Sequence, residues 1–438
     1  MIERGDYRQV RDALLAVVKP VETEYAALEQ AAGRVLAQDV IAQEDIPAFA
    51  RSPYDGYAFR AEDVAEAAAD DPVTLRIIDY IPAGEMPHTK ILPGTAAHLM
   101  TGAPIPEGAN AVLPFERTVF SKETVTIREP AAPGSNVILP GEDVRRGSVV
   151  AHRGSRIDAG LAGTLAGQGV FCPEVFRVPC VGVISTGAEL LEEGEELSSG
   201  RPGRIYDSNR YSLQAACSQA GCRSVFLGTG KDDPGRICAL LQEAVRTCDA
   251  VLVSGGVSVG DFDCTPAAME RAGIRILARG VALKPGMAGA YGTGSRKIKY
   301  GGLRDAGKPG ICSKTPCREE KDGRCTIPVF GLSGNPAACM TGFYAIALPV
   351  LRRRMGLTDV LPPLVRVRLG RDYTKKRPTE RLLRGRIDPG AVTQAMDIFE
   401  KQGNQVLSSL AGANAFAILP PDTALSAADE AEAFLIDF

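Results

Sequence analysis

Apolar and polar positions change their period three times along this chain. From about residue 8 to residue 38, charged and apolar positions follow one another at helical spacing, until Pro47, Pro53 and Gly56 break the pattern at RSPYDGYAF. That stretch reads as a loop opening a new domain. From about 73 to 150, short alternating runs (RIIDYI, AHLM, AVLPFE, TVTIRE and NVILP) sit between Gly and Pro turns, which predicts a small, mostly β module. GEDVRRGSVVAHRGSRI reads as a hairpin punctuated by glycine, and DAGLAGTLAGQGV as a short helix, the pair expected to pack back on the N-terminal helices. From about 178 to 355, continuous apolar strands (CVGVIS, SVFLGT, AVLVSG, IRILARGVAL and PVFGL) alternate with amphipathic helices, the pattern of a parallel sheet covered on both faces. Leu213, Ala216, Cys217 and Ala220 share one helical face, as do Ile237, Leu240, Leu241, Ala244 and Val245 on the next helix. Asp233 before Pro234 is the cap and first-turn pair for that second helix. Pro362 and Pro363 mark a linker, after which VRVRLG, RLLRGRI, NQVLSSL, AFAILP and AFLIDF predict a small β-barrel-like domain. The expected fold is multidomain α/β plus β around a doubly wound α/β domain.

Size and charge narrow the function. A chain of 438 residues exceeds one hydrophobic core and by length alone should divide into roughly three domains. With 50 Lys and Arg against 53 Asp and Glu, the net charge of -3 gives no global basic field for nucleic acid or an anionic membrane, so any anion site must be local. MIERGDYRQVRDALL carries charge from its third residue, so neither a secretory signal nor an anchor is expected there. The 11 cysteines are scattered through apolar segments, as at Cys180, Cys217 and Cys238, which fits reduced thiols in a cytoplasm.

In open α/β sheets ligands bind beyond the carboxyl ends of strands, so the residues just after each apolar run are the informative ones. Four such loops stand out. Thr186, Gly187, Ala188 and Glu189 follow CVGVIS, and SGGVSVGDFD follows AVLV, holding Ser254, Gly255, Gly256, Ser258, Gly260, Asp261 and Asp263. GLSGNPAA follows PVF, with Ser333, Gly334, Asn335 and Pro336, and IRILARGVAL runs into Lys284. Glycine lets backbone N–H groups approach an anion, and Asn335 before Pro336 should cap a helix whose free N–H groups and dipole favour an oxyanion. Such turns also simply join strands to helices; four together favour a phosphate-like guest. Carboxylates beside such a guest repel it unless a hard cation such as magnesium lies between, which makes Glu189, Asp232 and Asp263 the candidate metal ligands. Asp261 and Asp263 also read as caps for the helix TPAAMERAG, and capping is the expected role of one of them.

SPYDGYA, MTGAPIPEGANAV, STGAEL, RIYDSNR, SGGVSVGDFD, LKPG and GLSGNP stand in the order and rough spacing of the molybdopterin molybdenumtransferase family, which includes the C-terminal part of gephyrin, and the chain resembles that family over nearly its whole length. The resemblance implies an elongated homodimer with four domains per subunit: 1–45 with 141–177 as a discontinuous dimerisation domain, 46–140 as the β module, 178–355 as the pterin-binding domain and 360–438 as the C-terminal barrel. It implies a cytoplasmic enzyme that inserts molybdate into adenylyl-molybdopterin with magnesium and releases AMP, supplied by the molybdopterin adenylyltransferase and serving molybdoenzyme acceptors. Carried over by motif, Asp55, Thr101, Asp143, Glu189, Asp232, Asp263, Lys284 and Pro336 would act in it, with Arg381 and Asn404 aligned only loosely.

The chain departs from the family near the expected oxyanion site. Met287 replaces the second Lys of the family's KPGKP, Gly280 stands where a Lys is common, and Ser333 where Pro is usual. That leaves Lys284 as the main cationic anchor expected there. Arg279 is set aside, because neighbouring side chains on a strand face opposite ways unless the strand bends. A paralogue acting on tungstate or on a modified pterin and a non-catalytic pterin carrier or scaffold are the rival readings; a nucleotide-binding oxidoreductase is disfavoured because no GxGxxG follows the first strand of the α/β domain. Residues between Gly292 and Thr326 read as an exposed, charged insertion, and Cys312, Cys317 and Cys325 lack the CxxC pair and fourth ligand of a zinc site.

Overall fold

A computed structural model describes residues 1–191, 194–197, 203–257, 264–297, 314–315, 323–388, 390, 395–427 and 429–436. Ser258, Gly260, Asp261, Asp263, Cys312 and Cys317 lie outside the described residues. The chain forms two compact units, one of residues 1–38, 153–158 and 172–438, the other of 39–152 and 159–171. Among the described residues no helix is long and apolar enough to cross a membrane.

The first unit is built on a seven-stranded sheet in the order Ile2–Gly5, Arg275–Val281, Ala290–Lys297, Arg324–Leu332, Ala250–Ser254, Cys180–Ser185 and Arg223–Thr229. The last four are mutually parallel, as their uninterrupted apolar runs require. Ala290–Lys297 runs antiparallel to both neighbours, so the sheet is mixed rather than wholly parallel. Its sequence, AYGTGSRK, has three small residues in its first five and hides its strand character. Strand alternation divides the core between two faces: Val181, Val183, Ala250 and Leu252 pack with the helix Ser208–Gln219, while Ile184, Val251 and Val253 pack with Pro234–Thr247. Asp233 caps the latter helix through Gly235 N and Arg236 N, as its sequence predicts.

Several expectations need correction. The N-terminal helix spans only Tyr7–Val17 and gives way to a strand at Thr23–Tyr25, because Pro20 removes the donor that a longer helix would need. The insertion is narrower than expected: residues 290–297 and 324–332 form adjacent strands of the central sheet. Cys325 is buried and accepts a hydrogen bond from Arg354 at 3.3 Å, so it belongs to the core.

The C-terminal strands Glu380–Ile387, Ala395–Ile398, Leu364–Leu369, Glu430–Leu435 and Ala415–Leu419 close into a five-stranded barrel, since the last also pairs with the first. NQVLSSL is a 3-10 turn at Leu407–Ser409 rather than a strand, while Ala395–Ile398 is a strand not anticipated. Leu283–Lys284 joins the barrel wall in parallel, Lys284 opposite Arg381. Helix Pro336–Gly342 meets the barrel at its N-terminus: Ala337 N and Ala338 N donate to the Asn404 carbonyl at 3.0 and 3.3 Å.

In the second unit a six-stranded sheet runs Ala111–Pro114, Gly56–Phe59, Thr95–Leu99, Val73–Ile81, Thr124–Ile127 and Thr118–Phe120. The second half of SPYDGYAF is therefore a fully buried central strand, not a loop. Gly56 is obligatory, because a β-carbon there would sit 2.2 Å from the Leu113 carbonyl oxygen. Val149–Ala151 pairs with Val40–Ile41 instead of forming its own hairpin, and Ile138 of NVILP makes only an isolated bridge to Arg51.

Candidate active site

A pocket of about 1450 Å³ opens at the carboxyl ends of the parallel strands of the first unit. That volume exceeds the usual range for drug-sized ligands and leaves room for a larger guest. It brings together Glu189, Ser254, Gly256, Lys284 and the whole of Ser333–Pro336, residues contributed by all four loops singled out in the sequence.

The loops are laced to one another by hydrogen bonds. Thr186 N and Thr186 Oγ1 both donate to the Ser254 carbonyl, and Gly255 N donates to the Leu332 carbonyl. Gly255 and Gly256 have φ of +97° and +65°, and a β-carbon on either would lie 2.5 Å from a threonine hydroxyl, so these glycines serve close strand packing as well as access. Glu189 is held by backbone pairing with Ile205, while Asp232 accepts from Ala188 N at 2.7 Å, fixing the residue just before Glu189. Among the described residues the Glu189 carboxylate has no hydrogen-bond partner, and no three His, Cys, Asp or Glu side chains converge on one point.

The helix at Pro336 differs from expectation. Asn335 makes no side-chain cap, and the N–H groups of Ala337 and Ala338 are already satisfied by Asn404. Asn404 and Pro336 thus meet, but the helix end is not a free anion site; positive charge in the pocket comes from side chains. Lys284, Arg279 and Arg4 all line it, and among the described residues none of their side chains makes a hydrogen bond or ion pair. Arg279 lines it beside Gly280, whose φ of +66° departs from extended strand geometry.

Three pocket contributors were not singled out in the sequence. Asp207 caps the helix Ser208–Gln219 through Arg210 N at 3.0 Å. Asn209, 7% exposed, donates from Nδ2 to Ser254 Oγ and to the Gly334 carbonyl, both at 2.7 Å, and so ties three loops together. Its Oδ1 is buried without a partner, an acceptor left for a ligand. The signal was the Asp-Ser-Asn start of a helix within RIYDSNR. Arg4 comes from an N-terminal strand whose pairing with a distant segment no local pattern reports.

Asp55 and Thr101 meet within the second unit. Asp55 Oδ1 accepts from Thr101 Oγ1 at 2.7 Å and Thr101 N at 2.6 Å, and the side-chain and backbone bonds from Thr101 hold its carboxyl below the usual range. Asp143, also in that unit, donates its backbone N–H to the Ile46 carbonyl.

Three family models account for most of the chain: the MoeA N-terminal region (domain I and II) over residues 6–169, the probable molybdopterin binding domain over 182–353, and the MoeA C-terminal region (domain IV) over 366–436. A molybdopterin molybdenumtransferase of Staphylococcus epidermidis is 33% identical over 427 residues, covering 96% of this chain and 94% of that protein. The chain belongs to the molybdopterin molybdenumtransferase family. A Bacillus subtilis member is 35% identical over 411 residues, covering 92% of this chain and 87% of its own length. A Pyrococcus horikoshii moeA structure in the same family superposes with a TM-score of 0.80 at 28% identity, covering 98% of this chain and 99% of that one. The family's arrangement of a mixed central sheet, a second β sheet and a C-terminal barrel is the one described above.

Proposed function

We propose that this transferase inserts molybdate into adenylyl-molybdopterin and releases AMP. The observation that carries the reading is the pocket itself, lined at the carboxyl ends of the sheet by three cations whose side chains have no partner among the described residues, by a carboxylate and by a buried amide acceptor. Lys284, a compact point charge on the barrel-side strand, would hold the oxyanion beside the dithiolene, while Asn209 would orient the organic part through its open acceptor. Glu189 and Asp232 suit magnesium: both offer hard oxygens, and this ion is commonly held by one or two carboxylates plus substrate phosphate and water. Bound there, it would neutralise charge developing on the phosphate as AMP departs. Asp263 is the third proposed ligand. With the reading go a cytoplasmic location, a homodimer, supply by the molybdopterin adenylyltransferase and delivery to molybdoenzymes.

The test is incubation with adenylyl-molybdopterin and magnesium, titrating molybdate or tungstate and following AMP. Oxyanion-dependent AMP release is expected; its absence with either oxyanion would overturn the reading, and release with tungstate alone would reassign the metal. In the same assay Lys284→Ala should raise the molybdate concentration for half-maximal release about ten-fold, the low end for losing one charge-assisted contact, because two further cations remain. Superimposable titrations would remove Lys284 from the oxyanion site.

A further inference from the structure

The strand Ile2–Gly5 lies parallel to Arg275–Val281, with Glu3 opposite Arg279 and Gly5 opposite Val281. Between those pairs stand Arg4 and Gly280, and both depart from extended backbone into the left-handed region, at φ +46° and +66°. For glycine this conformation is ordinary; for arginine it carries a cost, and a cost held in place at a pocket points to use. The two residues also fit one another. A β-carbon on Gly280 would sit 3.3 Å from Arg4 Cγ and 3.2 Å from the Met287 carbonyl oxygen, so the arginine stem fills the space a side chain at 280 would need. Arg4 and Arg279 both line the pocket on its exposed side, each without an ion-pair partner among the described residues.

We propose that Arg4 and Arg279 form a second cationic subsite, which binds a tetrahedral oxyanion in this pocket. This deepens the proposed function by naming the residues that recognise its anion. Two sources share that chemistry, free molybdate and the phosphate of the adenylylated pterin. Guanidinium forks match a tetrahedral oxyanion by paired N–H donors, which a single ammonium cannot do.

The experiment measures equilibrium binding of molybdate, and separately of AMP, by calorimetry, comparing wild type with Arg4→Gly, Arg4→Lys and Arg279→Ala. It does not depend on turnover, so it stands apart from the AMP-release assay. Arg4→Gly keeps the left-handed backbone while deleting the guanidinium, so its melting temperature should hold or rise. Its molybdate dissociation constant should nevertheless rise about five- to ten-fold, with partial recovery in Arg4→Lys and a similar loss in Arg279→Ala. A rise for AMP alone would assign the subsite to the substrate phosphate. Unchanged affinity for both anions in Arg4→Gly and Arg279→Ala would overturn the proposal.

Discussion

Asp249→Asn is expected to cost about 3 to 5 kcal/mol of stability, the range for removing one partner of a buried charge network. Asp249 is 1% exposed at the foot of the central sheet, at the start of Ala250–Ser254 and away from the carboxyl-end pocket. Its carboxylate receives Arg177 at 2.8 and 2.9 Å, Arg296 at 2.9 Å and Cys180 N at 2.8 Å, and Arg354 lies 3.7 Å off. Arg354 is itself 1% exposed and would be left without its counter-charge. Burial alone would raise the Asp249 carboxyl, but hydrogen bonds and charge from Arg177, the Cys180 N–H and the charge of Arg354 hold it at about 2, against an ordinary 3.8. A folded value depressed in this way stabilises the protein fully above the unfolded value, and the contribution, roughly 2.5 kcal/mol, fades as pH falls from about 4 through about 2. Urea unfolding at pH 7 and between pH 5 and 2 checks both statements. An Asn variant within 1 kcal/mol of wild type, or with the same acid limb, would show that the network is dispensable.

Asn209→Asp is expected to lower kcat/KM for AMP release about a hundred-fold while leaving the fold intact. The substitution exchanges the amide donor shared by Ser254 Oγ and the Gly334 carbonyl for a carboxylate that repels the latter, and it adds negative charge where an anionic substrate binds. Asn209→Ala should fall between the two, since it removes the donor without adding charge. Melting curves alongside steady-state kinetics distinguish loss of the site from loss of the protein. Turnover of the Asp variant within three-fold of wild type would mean that this amide neither shapes the pocket nor meets substrate.

The parallel strands were legible because residues buried on both faces leave uninterrupted apolar runs, and the loops beyond them because Gly, Ser and Asn collect where chain reversal and close approach coincide. What escaped was non-local. Ala290–Lys297 has little apolar character after its first two residues and is a strand only because two neighbours flank it. Gly56–Phe59 looked like a turn because Pro53 and Gly56 punctuate it, yet Gly56 answers to a carbonyl from another strand. Alternation set Arg279 aside unless the strand bends, and the left-handed Gly280 beside it is a departure that no apolar pattern reports. The capping of Ala337 and Ala338 by a carbonyl some seventy residues later lies beyond any local rule.

That last contact bears on modularity. The barrel has its own core, around Leu383, Met396, Ile398 and Ala417, and so could be taken for a detachable appendage. It nevertheless satisfies two backbone donors at the head of a helix bordering the pocket, and its wall carries the strand that ends in Lys284. Arg384, buried inside it, reaches the Ser409 hydroxyl at 2.7 Å and the Gly403 carbonyl at 3.2 Å, on the segment that presents Asn404. Exchange of C-terminal domains between relatives is therefore constrained by main-chain geometry more than by side-chain identity: a graft must bring a carbonyl to the place of Asn404, whatever residue carries it.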